Sequence, residues 1–123
     1  MPARLARRSL LPLLAALPLG LAHAPARAHH GWSGYISDTE IELTGTVTEV
    51  YFGMPHCTLR LGTPEKTWIC VLAPLSRMTR RGLPDGSIKA GDTVTLVGYA
   101  SRTVPDEMRA ERIMVAGQTV ELR

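Results

Sequence analysis

Ile41-Glu42-Leu43-Thr44-Gly45-Thr46-Val47-Thr48-Glu49-Val50-Tyr51-Phe52 is the stretch that decides the fold. Ile41, Leu43, Gly45 and Val47 alternate with Glu42, Thr44, Thr46 and Thr48, which is the period of two of a strand with one buried face. The apolar phase then slips by one residue to Val50 and Phe52. A slip of one residue sends side chains to the wrong face unless an extra residue bulges out, so a bulge is expected near Thr48 or Glu49. With Gly45, that bulge lets one long strand bend across two sheets.

Downstream, Gly53-Met54-Pro55 breaks the strand. Two more strands are expected at Cys57–Leu61 and Lys66–Leu72, joined by Gly62-Thr63-Pro64-Glu65. A hairpin closed symmetrically on that loop places Cys57 opposite Cys70, within disulfide reach of a non-hydrogen-bonded pair. The alternative is two buried thiols. Ala73–Gly82 reads as a short helix with Pro near its start, Arg80 and Arg81 in its last turn and Gly as its stop. Turn chemistry at Pro84-Asp85-Gly86 and Lys89-Ala90-Gly91-Asp92 leads to a fourth strand at Thr93–Tyr99. A polar loop at Ser101–Met108, a fifth strand at Arg109–Val115 and an extended segment at Gln118–Leu122 complete the chain. Three meandering strands, a helix and two further strands give an all-β fold, a small OB-like five-stranded Greek-key barrel; the rival is a small β-sandwich.

Upstream, residues 1–28 read as a secretory signal. Arg4, Arg7 and Arg8 form a basic region, Leu10 to Leu21 an apolar one, and Ala26-Arg27-Ala28 a small-x-small cleavage site. The apolar run is too short for a membrane span and is interrupted by Pro12 and Pro18. Residues 29–38 form an extended lead-in expected to dock through Trp32 and Tyr35, and residues 39–123 form the barrel domain. Export to an oxidising periplasm, or secretion, favours the Cys57–Cys70 bridge.

Charge narrows the partners. The whole chain has 14 Lys+Arg and 11 Asp+Glu, but four of the Arg (Arg4, Arg7, Arg8, Arg27) and no acid lie in the signal, leaving 10 against 11. A nearly neutral domain offers no basic face for nucleic acid, so none is expected as a partner.

The segments Ala28-His29-His30, Leu43 to Val50, Met54-Pro55-His56, Arg80-Arg81-Gly82 and Ile88-Lys89-Ala90-Gly91-Asp92 together resemble a family of small exported bacterial proteins catalogued as a domain of unknown function. Met54 stands where that family usually has Asn, and the cysteine pair is not a general feature of it. The resemblance implies bacterial export and brings no activity.

The candidate metal ligands are His29, His30 and His56, the only histidines after residue 28. A cut after Ala28 gives His29 a free amine and an imidazole for one metal, with His56 as a second imidazole, resembling a histidine brace. Nitrogen ligands favour Cu(II), and an α-amino group loses its proton to metal near neutral pH at little cost. A cut one residue earlier puts His30 third, which resembles an amino-terminal Cu(II)/Ni(II) site. Solvated terminal histidines and a turn residue at His56 are the bland alternative. Met54 with Cys57 would suit Cu(I) in a competing soft-ligand variant. The scattered methionines read as core or loop residues. Trp32, Trp68, Tyr51 and Tyr99 read as packing, with stacking of bases or sugars as the sharper alternative. Arg77, Arg80 and Arg81 are explained by the helix dipole, or form a patch for an anionic partner.

No Gly-x-Ser-x-Gly, His-Glu-x-x-His or phosphate loop is present, so a binding role is expected rather than an enzyme. The two functions in view are copper handling and a metal-free module for a periplasmic protein or small-molecule partner.

Overall fold

The computed structural model describes residues 31–123. The predicted signal and the histidines His29 and His30 lie outside them. Six strands follow a short 3-10 turn at Gly31–Gly34: β1 (Ile41–Tyr51), β2 (Thr58–Gly62), β3 (Thr67–Val71), β4 (Thr93–Ala100), β5 (Glu107–Val115) and β6 (Gln118–Glu121). The helix α1 (Leu75–Arg80) lies between β3 and β4. Neighbours run β3-β2-β1-β4-β5-β6, and a parallel β3–β5 pairing closes the first five strands into a barrel. This is the expected OB-like barrel, with β6 added to β5.

The long first strand behaves as its sequence demands. Val47 pairs with Leu61 and Glu49 with Arg60, so Thr48 is the extra residue of a bulge. On one side of it β1 pairs with β4, from Ile41↔Gly98 to Thr46↔Thr93; towards its end it pairs with β2. The two pairings overlap at Thr46, next to Gly45. A Cβ at Gly45 would lie 2.2 Å from the Gly62 carbonyl oxygen, so only glycine fits the bend.

Val47, Leu59, Leu61, Cys70, Leu72, Val94, Leu96, Met108, Ala110 and Ile113 fill the barrel, and Met78 of α1 is buried with them. Gly82, at φ +91°, stops the helix in the left-handed region, as Gly in that place should.

Two expectations need correction. The Cys57–Cys70 disulfide is absent: both cysteines are free and fully buried. The turn centres on Pro64-Glu65, closed by the Thr63 amide donating to the Lys66 carbonyl at 2.9 Å, one residue later than symmetric closure assumes. A turn displaced by one shifts the register by two. Cys70 therefore pairs with Leu59, while Cys57 exchanges backbone hydrogen bonds with Leu72 and Ala73. The lead-in, expected to be extended, starts as a 3-10 turn, in which the Tyr35 amide donates to the Trp32 carbonyl at 3.1 Å. Gly31, at φ +45°, permits that turn.

Candidate functional site

β5 alternates faces along Glu107-Met108-Arg109-Ala110-Glu111. Met108 and Ala110 enter the core, so Glu107, Arg109 and Glu111 line the outside of the barrel. An outward arginine on a strand normally reaches solvent. Arg109 is only 8% exposed because the N-terminal segment lies over it.

Three aromatic residues meet this row of charges. Tyr35 donates its hydroxyl hydrogen bond to Glu107 at 3.0 Å, and Tyr99 donates to Glu111 at 3.0 Å. The guanidinium of Arg109 stacks 4.5 Å from the Trp32 ring centre and that of Arg123 lies 4.6 Å from it. The edge of Tyr99 meets Trp32 at 5.9 Å. Backbone bonds fix the segment further, Ile36 amide to Ala100 carbonyl and Arg102 amide to Gly34 carbonyl, both 2.9 Å. Trp32 and Tyr35 therefore dock the lead-in, as expected from the sequence.

Where this segment, the Met54-Pro55-His56 break and β5 converge, a cavity of about 380 Å³ opens, a size suited to a small ligand. Gly31, Gly34 and Tyr35 form one wall and Pro55 with His56 another, over Val71, Glu107 and Arg109. His56 Nε2 lies 3.4 Å from Arg109 Nη2 and accepts from it, which puts the proton of the neutral ring on Nδ1. Burial, then the nearby cations Arg109 and Arg77, lower the His56 pKa below 6.5, so the imidazole is neutral at pH 7. Burial is also the largest cause raising the Tyr35 pKa to about 12, with Glu107 adding to it.

Arg109 is anomalous. Among the described residues its Nε has no hydrogen-bond partner and it forms no ion pair within 4.0 Å. Arg77 is likewise without a carboxylate at that distance; its Nη1 donates to the Leu122 carbonyl at 3.2 Å.

Of the predicted metal ligands, His56 lines the cavity, and so does Gly31, two residues from His29 and one from His30. Two residues of chain span at most about 7 Å between Cα atoms. Among the described residues no group of three or more His, Cys, Asp or Glu is placed to hold a metal. The soft-ligand pair is divided: Met54 is 73% exposed while Cys57 is fully buried. Burial also raises both thiol pKa values, that of Cys70 to about 12, so neither is a ready thiolate.

Sequence reading misses Arg109, Glu107 and Tyr35 as site residues. The available signal is the Glu-x-Arg-x-Glu alternation at the start of β5, hidden because Glu107 and Met108 read as the end of a polar loop.

The family model DUF6152, described as a family of unknown function, matches residues 19–107. No curated protein matches the chain. Among solved structures, the chain is similar to one in the crystal structure of a complex of TiaS with an isoleucine tRNA and ATP, at 21% identity and a TM-score of 0.50. The match covers 72% of this chain and 20% of that one, so this chain corresponds to about a fifth of that protein. The likeness is one of fold. Among the described residues no helix is long and apolar enough to cross a membrane.

Proposed function

We infer the role of this chain from its cavity, because the chain belongs to DUF6152, a family of unknown function. The proposed role is that of an exported binding protein that holds one copper ion for periplasmic handling or delivery, with no catalysis of its own. His29 would contribute its amine and imidazole, His56 a second imidazole, and His30 would assist. The observation that carries this reading is that Gly31 and His56 line the same cavity. A neutral His56 suits it, since a metal binds the unprotonated ring. Copper would take the lone pair of Nε2, or that of Nδ1 with the ring proton moved to Nε2; either would displace the long Arg109 contact.

The test is Cu(II) titration followed by EPR on protein with a verified His29 terminus, beside the same protein extended by one residue. The brace predicts nitrogen hyperfine structure from several ligands in the first, lost in the second and in His56→Ala. Equal binding by the native and extended proteins would sink it.

A second reading, the metal-free module for a small-molecule or protein partner, is favoured by a different observation: a buried guanidinium in the same cavity has an unbonded Nε. The likeness to a chain from a tRNA complex adds nothing here for nucleic acid, given 10 basic against 11 acidic residues after residue 28.

A further inference from the structure

We propose that the cavity beside Arg109 binds a small monocarboxylate, seated on the Nε/Nη2 edge of Arg109 with its apolar body against Pro55, Val71 and Val104. This rests on the second, metal-free reading of the cavity and does not require copper.

A buried charge left unpaired costs several kcal/mol, so native structures neutralise it. Arg109 is 8% exposed, lines the cavity and has no carboxylate partner among the described residues. Its stacking on Trp32 engages the face of the guanidinium and uses none of its N–H donors; Nε is closed to solvent, so a ligand reaches it as the covering segment shifts. Nε–H and one N–H of Nη2 form a parallel fork that matches the two oxygens of a carboxylate. Among the described residues, Nε on this edge is unbonded and Nη2 has the 3.4 Å contact with His56.

The surroundings select among anions. Glu107 lines the same cavity and engages Tyr35, so its charge opposes an incoming anion and repels a dianion more strongly than a monoanion. Ser101 Oγ accepts from the Thr103 and Val104 amides at 3.3 and 3.0 Å, so its own hydrogen is free to donate to a ligand oxygen. Pro55, Val71 and Val104 supply an apolar wall for a short carbon chain.

The experiment uses metal-free protein, treated with EDTA and carrying Trp68→Phe so that Trp32 is the only tryptophan. It is titrated with sodium butanoate, butanamide or sodium sulfate at constant ionic strength. Trp32 emission and the Arg109 Nε–H resonance are followed. Butanoate is expected to shift both saturably and butanamide neither. Arg109→Lys and Arg109→Gln should weaken binding at least tenfold, and Ser101→Ala by a smaller factor. The protein extended by one residue before His29 should keep butanoate binding while losing the copper brace, which separates this proposal from the metal site. An unmoved Nε–H resonance, equal binding of the amide, or an unaffected Arg109→Lys variant overturns the proposal. Sulfate binding as tight as butanoate overturns the carboxylate assignment. Should the Arg109 variants fail to fold, the wild-type Nε–H response and Ser101→Ala still decide.

Discussion

His56 and Arg109 show opposite ways in which a single residue escapes or yields to sequence reading. His56 is visible because histidines are few and a proline fixes the backbone before it. Arg109 is not, since an arginine at an outward strand position reads as solvated until another part of the chain covers it. The cover is Trp32, and cation–π stacking of about 0.5–2 kcal/mol offsets only part of the desolvation of the guanidinium. Burial and the same cation lower the His56 pKa in the folded state below its reference value of 6.5. Protons then bind the unfolded chain more readily than the folded one. Stability is therefore unaffected by His56 above about pH 6.5 and falls as the pH drops from there towards the lowered folded pKa. Urea unfolding between about pH 7.5 and 5.5 should show this loss in the native protein and a smaller slope in His56→Gln. Identical slopes would mean that His56 titrates alike in both states.

At the scale of elements, the first strand is legible down to its bulge because the buried face imposes a period of two, and Thr48 is where that period breaks. The second hairpin is not. Its loop has no Asn-Gly or Asp-Gly to mark the centre, and the turn settles on Pro64-Glu65, closed by Thr63 and Lys66. The early start of β5 is hidden for another reason: Glu107 joins the strand by pairing in parallel with Ile69, a contact distant in sequence. The register error has a chemical consequence. Protein unfolded without reductant should take up two alkyl groups, at Cys57 and Cys70, by intact mass, whereas an unmodified mass would restore the disulfide. The close approach of β4 to β5 is just as testable. A Cβ at Gly98 would stand 1.9 Å from the Arg109 carbonyl oxygen, which is backbone and cannot swing away. Gly98→Ala is expected to destabilise the domain by at least about 2 kcal/mol in urea titration, and a near-neutral effect would show that the strands can part without penalty.

In the whole molecule, the barrel and the cavity depend on different contacts. The core is held by the apolar faces of five strands and by Met78, while the outer cavity wall is a segment attached through Trp32, Tyr35 and a few backbone bonds. The barrel is legible because its pattern of strands is local. The cavity is not, since it arises only when the first described residues return to β5. This division predicts that the wall can loosen while the barrel stays closed. Trp32→Ala removes stacking on Arg109 and Arg123 and the edge contact with Tyr99, worth about 2 kcal/mol together. For a domain of this size that is roughly a 10 °C fall in Tm. In native-state hydrogen exchange the Ile36 amide, bonded to the Ala100 carbonyl, should open at a lower free energy than amides of the β1–β4 ladder, in the native protein and in Trp32→Ala alike. If Ile36 and the ladder amides instead exchange with the same opening free energy, the segment and the barrel open as one unit. The site would then be as stable as the fold itself.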